Sequence, residues 1–370
     1  MTSRERFNAI MHYQPYDHMP VVHFGFWQET LDLWHAQGKL TDDEYRSRWE
    51  GFGIDGRLDE KLGFDFNYQS VIGGATGLFP GFESKVIEET PDGFKKFLNS
   101  SGVIELHRGN AGSIPSEVGR LLNDRESFDE HYRHRLQFNE ARVPKLSPET
   151  IAYIENYDKP IALHCGSLFG EIRNWLGVEG SAYLLADDEE LFDEIINMVG
   201  DICYRTAQGI LAQTDKFSHA HFWEDICFKN GPLIAPTVFR EKVGPHYKRI
   251  TELLKSHNID IVSLDCDGMI DYLLPTWFEN GVNTMFPIEV GTWEASIAPW
   301  REKYGRGLRG VGGMNKNVFA LDYAAVDAEL ERLRPLVELG GYIPCPDHRI
   351  PPTAKIENVQ YYCDKFRRMF

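Results

Sequence analysis

Two carboxylates and a thiol stand together at Asp265-Cys266-Asp267, and a thiol and an imidazole stand near the C-terminus at Cys345 and His348. Thiolate, imidazole and carboxylate are donors that Zn²⁺ accepts in open catalytic sites, where three protein ligands leave a fourth position for substrate. Glu289 adds a carboxylate to that candidate metal set. The plainer reading of the same residues is an Asp-Gly turn at Asp267-Gly268 and proline punctuation across Pro344-Cys345-Pro346. A second cluster runs His219-Ala220-His221-Phe222-Trp223-Glu224-Asp225. On a strand, His219 and His221 share a face, which suits either a metal pair or a pair of substrate hydrogen-bonders. His221, Glu224 and Asp225 are candidate general acids, and the two carboxylates read equally as turn caps. His23, Trp27, His164 and Trp223 are candidate substrate contacts, with His164 and its neighbour Cys165 also readable as core. Cys203, Cys227 and Cys363 read as small buried hydrophobes.

The elements that must position these groups recur as a short β-rich run, a polar loop and an amphipathic helix. Strand candidates are Pro20–Phe24, Phe64–Ile72, Pro160–His164, Lys216–His221, Asp260–Asp265, Asn283–Pro287, Leu308–Val311 and Gly341–Pro344. Asp187-Asp188-Glu189-Glu190 places acids on the first turn of a helix running towards Gln213. Pro236 opens the next helix, and Asp322 opens another that Gly340-Gly341 terminates. Strands alternating with helices indicate parallel βαβ units, and eight of them indicate a (β/α)₈ TIM barrel in a single domain, 1–370. An open doubly wound sheet would need a phosphate-binding turn, and Gly73-Gly74-Ala75-Thr76-Gly77 lacks the helix that should follow it.

Residues 78–150 break the rhythm. Lys85–Thr90 and Phe94–Asn99, joined by Pro91-Asp92-Gly93, read as a hairpin, with a further run at Val103–His107 and helices near Ser116–Leu122 and Phe128–Gln137. This stretch is expected to be an insertion before the third strand that covers the barrel mouth. In a barrel the site lies at the C-terminal ends of the strands, and each candidate above follows one of them.

The 370 residues are 42% hydrophobic and 26% charged, which is ordinary for a globular protein. A net charge of −17 repels phosphate backbones and anionic lipid, so nucleic-acid and membrane roles are disfavoured. No apolar run is long enough to span a bilayer, the N-terminus has no signal-like h-region, and no CxxC pair occurs. The expectation is a cytoplasmic chain with reduced thiols, free to self-associate.

With these residues in view, the chain resembles the uroporphyrinogen decarboxylase-like superfamily. The resemblance rests on Thr2–Ile10 with Asp17-His18-Met19-Pro20-Val21, on Gly166–Gly170, and on Glu224-Asp225 with Lys229–Ile234. Asp265–Gly268 and Gly340–Pro344 through Arg349 extend it over nearly the whole chain. It implies a (β/α)₈ barrel and one of two chemistries. Decarboxylases of the superfamily carry an arginine-rich loop after strand one for a polycarboxylate; here that loop is His23-Phe24-Gly25-Phe26-Trp27-Gln28-Glu29, without arginine. The other branch is similar to zinc- and corrinoid-dependent methyltransferases with a His-x-Cys-Gly segment and a distant Cys. In that frame Asp265 stands at the His position and Asp267 at the Cys position, with Cys345 or His348 as the distant ligand. An oxygen-rich site suits an oxygen ligand better than a thiol. The resemblance therefore implies a methyltransferase of the O-demethylase type. It would pass a methyl group from a small, aromatic-compatible methyl ether to cobalamin on a partner corrinoid protein, with Zn²⁺ assisting. The alternatives are a metal-free decarboxylase or lyase of a different acid, and an accessory subunit with a degenerate site.

Overall fold

The computed structural model describes residues 1–46, 56–91, 93–107 and 116–370. Eight parallel strands carry the barrel: β1 (Val22–His23), β2 (Phe66–Asn67 and Val71–Ile72), β3 (Ala162–His164), β4 (His219–Trp223), β5 (Val262–Asp265), β6 (Thr284–Ile288), β7 (Arg309–Met314) and β8 (Tyr342–Pro346). From β8 back to Val71–Ile72 they form one seven-stranded sheet, and β1 pairs with Phe66–Asn67. The seam between β8 and β1 is made by a single parallel bridge, Phe26 to Ile350, rather than by a ladder. All eight predicted strands are present. Their bounds differ by a few residues, most at β4, which runs to Trp223 rather than ending at His221.

Burial on both faces explains the β-rich, weakly alternating sequences of these strands. Every residue of β5, β6 and β8 is buried. The two-residue period sends His219, His221 and Trp223 to one face of β4. The helix α1 (Ser3–Met11) sets Phe7, which is buried, against the His219 ring at 4.9 Å. His219 therefore belongs to the packed interior next to α1. As predicted, the acidic run opens a helix: directly after α2 (Phe169–Asp187) ends, α3 (Glu189–Leu211) begins with Glu189 and Glu190 in its first turn and Asp188 as its cap. Asp322 caps α4 (Tyr323–Val337), and Gly340 and Gly341 follow it at φ +66 and +55.

The insertion departs more from expectation. Lys85–Glu89, Lys95–Leu98, Val103–His107 and Ser116–Arg120 form a four-stranded antiparallel sheet, so the helix expected near Ser116–Leu122 is a strand there. Val103–His107 offers a free edge, and pairing with it outweighs a weak local preference. Phe128–Tyr132 and Arg133–Leu136 are helical but irregular, a π turn followed by a 3₁₀ turn. Asp92 of the predicted turn and 108–115 lie outside the described residues. The insertion packs beside α2 and α3 through Tyr132 on Trp175 and Arg125 on Asp188. Among the described residues, none of it lines the cavity at the mouth.

Arg142 pins the insertion to the loop after β2. Its guanidinium is 1% exposed and donates to the carbonyls of Ala75 at 2.8 Å, Gly77 at 2.7 Å, Gln137 at 3.0 Å and also Arg135. A lysine ammonium cannot present that planar fork. Arg142→Lys is expected to cost roughly 2 kcal/mol of stability, read as a lower urea midpoint at unchanged slope.

Candidate active site

The mouth is built where the loops after β1, β4, β5, β6 and β8 meet. His348 follows β8 and pairs its Nε2 with Asp267 Oδ2, beyond β5, at 3.3 Å. The Trp27 ring stacks on that imidazole at 5.4 Å and 16° between planes, and Phe24 meets it edge-on at 5.8 Å. Asp265, Asp267, His348 and Trp27, predicted from strands that are not sequence neighbours, do converge. A cavity of about 260 Å³ opens beside them, walled by Arg173, Asp225, Cys227, Asp267, Gly268, Glu289 and Thr292 among others. That is below the ~300–1,000 Å³ typical of drug-sized ligands.

Carboxylates dominate this space. Asp265 is buried, its Oδ2 accepts from Gln69 Nε2 at 2.7 Å, and its pKa is raised well above the usual carboxylate range. Burial is the first cause; the charges of Asp267 and Asp225 add to it. Asp225 and Glu289 are raised for the same reasons, burial first and the Asp267 charge among the others. Asp225 remains raised although Arg173 Nη2 reaches its Oδ2 at 2.9 Å, because burial outweighs the ion pair. Glu289 has both oxygens engaged, by Gly268 N–H and by Thr292 Oγ1 at 2.8 Å.

Glu224 and Asp225 are adjacent in sequence but have different duties. Glu224 is fully buried and accepts Leu168 N–H at 2.8 Å and Gly170 N–H at 2.7 Å, where α2 begins, together with the Tyr247 hydroxyl. It is the anion at a helix N-terminus, favoured by the unpaired amides and the dipole there. Burial nonetheless pushes its pKa up to about 7. Gly170 has to be glycine because a Cβ would run into the Glu224 carbonyl. Of the two readings of Glu224, the cap is the one its surroundings support: both oxygens already accept hydrogen bonds inside the fold. The chain then turns at Asp225, which adopts a left-handed φ of 47° and presents its side chain to the cavity.

Other candidates sit away from the mouth. His23 faces the surrounding layer: Nε2 pairs with Asp59 at 2.9 Å, Nδ1 accepts Gly25 N–H at 3.0 Å, and Phe26 and Phe64 pack on its ring. With both nitrogens engaged it is not placed to hold a substrate. His221 is buried among Tyr68 and Phe286, with Nδ1 2.6 Å from Ser263 Oγ. Burial holds its pKa well below the usual value, so it stays neutral and is poorly suited to donate a proton. His164 is likewise pushed down to about 4 by burial. Trp223 stays near the rim, with the Arg173 guanidinium 5.9 Å from its ring centre.

The five candidate metal ligands are not drawn into one set. Among the described residues, no three His, Cys, Asp or Glu side chains are grouped to hold a metal ion. Cys345 is fully buried, and burial followed by the Asp347 charge raises its thiol well above the usual value. Asp347 itself is engaged by Gly291 N–H at 2.7 Å and Lys316 N–H at 3.1 Å, tying the loops after β6 and β7 to β8. This arrangement does not fit zinc. Protein purified without chelator is accordingly expected to carry well under one zinc per chain, unchanged in Cys345→Ser. Stoichiometric zinc lost in that variant would show that the ligands rearrange around the ion.

Three contributors went unseen in the sequence. Gln69 carried no signal at all. Arg173 and Arg349 supply the mouth with arginines that the loop after β1 lacks; Arg349 lies 5.7 Å from the Trp27 ring and its charge reaches Asp265. Arg349 at least stood within the C-terminal segment that carried the resemblance.

Residues 175–369, more than half of the chain, match the family model described as uroporphyrinogen decarboxylase (URO-D). The chain belongs to the uroporphyrinogen decarboxylase family. Among solved structures, a methyltransferase from Methanosarcina mazei is similar with a TM-score of 0.61 and 15% identity, over 99% of both chains. At that identity the likeness shows a shared fold. A Listeria monocytogenes chain assigned as a vitamin-B12-independent methionine synthase is 13% identical over 96% of this chain and 95% of its own, at a TM-score of 0.37 too low to argue from. No curated protein matches the sequence. Within the family frame, the Gly166–Gly170 segment and Glu224 are one device, a loop and the carboxylate that caps it. No helix among the described residues is long and apolar enough to cross a membrane.

Proposed function

We propose that this chain is a methyltransferase that passes a methyl group from a small methyl ether, an aromatic one by preference, to the cobalt of a corrinoid carried by a separate protein. The observation that carries the reading is Asp265, a buried carboxyl whose proton affinity is raised by burial and by the neighbouring Asp267 and Asp225 in a URO-D-family barrel. The end-to-end fold likeness to a methyltransferase supports the reaction class.

The alkoxide or phenolate of a methyl ether is a poor leaving group unless its oxygen is protonated as the bond to the methyl carbon breaks. Asp265 is the proton donor in this reading, oriented by Gln69 Nε2 at 2.7 Å. Asp267 keeps the Asp265 proton in place by its charge and is itself held by His348. In this reading an aromatic donor packs beside Trp27 and Trp223, whose rings meet His348 and Arg173, at a mouth whose arginines are already engaged. The corrinoid supplies the nucleophilic cobalt. No step depends on zinc.

The second reading is decarboxylation of a small acid, for which the family model and the nearby Arg173 and Arg349 speak. One experiment separates the two. The protein is incubated anaerobically with cob(I)alamin and a panel of aryl and alkyl methyl ethers, and in parallel with small carboxylic acids. Methylcobalamin absorbance with an ether is the expected result; CO₂ release without methylcobalamin would replace methyl transfer by decarboxylation.

A further inference from the structure

The runs that follow β4 and β5 lie side by side. Glu224 N–H donates to Asp265 O and Met269 N–H to Phe228 O, each at 2.8 Å. Between those bonds, Ile226 N–H donates to Cys266 Sγ at 3.3 Å, which sets the Cys266 sulfur against the backbone next to Cys227 and makes the two cysteine side chains neighbours. Gly268, at φ +86, allows this approach, because a Cβ there would press into the Cys227 carbonyl. Both cysteines are free thiols. Cys227 forms part of the cavity wall with Asp225 and Asp267 and keeps 5% of its surface exposed. Cys165, Cys203, Cys345 and Cys363 are fully buried and line no part of that cavity.

We propose that Cys227 and Cys266 form an oxidisable dithiol in the wall of the mouth, closed to a disulfide by small peroxides and reopened by dithiol reductants. Neighbouring thiols on two runs already tied together by backbone hydrogen bonds need little backbone movement to reach disulfide distance. In the first step the Cys227 sulfur, having lost its proton, attacks one peroxide oxygen. The O–O bond breaks, the displaced hydroxide takes a proton to leave as water, and Cys227 becomes a sulfenic acid. In the second, Cys266 sulfur attacks the Cys227 sulfur and its thiol proton leaves with the departing hydroxyl as a second water. Two S–H bonds are exchanged for one S–S bond, and one peroxide is reduced to two waters. The cross-link ties the loop bearing Asp225 to the loop bearing Asp267, the two carboxylates that face each other's charge across the cavity. The site stands whatever reaction the mouth performs.

The test treats the native full chain with hydrogen peroxide, alkylates it after unfolding, and reads intact mass and protease fragments. The expected result is a loss of roughly 2 Da before alkylation, fragments containing Cys227 and Cys266 joined, the other four cysteines alkylated, and full reversal by dithiothreitol. Cys266→Ser is expected to leave Cys227 as a sulfenic acid that dimedone captures, and Cys227→Ser to leave Cys266 alkylatable. A bond between any other pair, such as Cys165 with Cys203, would overturn the proposal. So would alkylation of both Cys227 and Cys266 at peroxide doses that oxidise the buried cysteines.

Discussion

Asp265→Asn is expected to lower methyl transfer by roughly 10²–10⁴-fold, the usual worth of a positioned general acid. The amide keeps an oxygen for the Gln69 donor, so binding and folding change little and the loss falls on turnover. The wild-type profile follows from the sign of the shift. Asp265 acts as an acid only while protonated, so the rate should fall as pH rises through its elevated pKa. Asp267→Asn removes one of the charges that raise that pKa. It should therefore move the fall to lower pH while leaving the low-pH plateau largely intact. Methylcobalamin formation across a pH series in the three proteins checks both statements. An Asp265→Asn enzyme with wild-type turnover would remove Asp265 from the chemistry. A pH limb that moves upward in Asp267→Asn would show that the electrostatic account has the wrong sign.

Glu224→Ala is expected to be the most damaging single substitution for stability, on the order of 3–5 kcal/mol. Three buried donors lose their acceptor at once: the Leu168 and Gly170 amides and the Tyr247 hydroxyl. Each unsatisfied buried donor costs about 1–3 kcal/mol. Glu224→Gln restores one acceptor but turns an amide NH₂ towards a donor, so it should lose less than alanine and more than nothing. The pH dependence separates the charge from the cap. Between the ordinary glutamate pKa of 4.5 and about 7, the folded chain holds the Glu224 proton more tightly than the unfolded chain does. This group's contribution to stability therefore declines as pH rises through that window, and Glu224→Gln should abolish that part of the slope. Urea midpoints of the three proteins at pH 5 to 8 read both effects. A Glu224→Ala protein as stable as wild type would mean that α2 finds another cap.

The order of the barrel was legible because its signals are local. Short β-rich runs, Asp322 at a helix start and Gly340-Gly341 at its end act over a few residues, and the structure keeps them. The convergence of Asp265, Asp267, His348 and Trp27 was legible too, since any barrel brings its strand tops to one mouth. Legibility stopped where two neighbours in sequence diverge in space. Glu224 and Asp225 are the same chemistry one residue apart, yet a left-handed turn at Asp225 puts one beneath α2 and the other on the cavity. His23 shows the same limit: on a strand a single register step decides whether a side chain enters the barrel or leaves it.

The sequence by itself determined the eight-stranded plan through strand runs and caps that act at short range, and its motifs carried the resemblance to the family. Only the tertiary structure decided which groups meet. Cys227 and Cys266, 39 positions apart, become neighbours because two loops run side by side over a glycine. Cys345 stays out of reach because its strand buries it completely. The physical reason is the same in each case: contact, burial and the resulting proton affinity depend on distances between segments remote in the chain, and no local pattern of residue types encodes those distances.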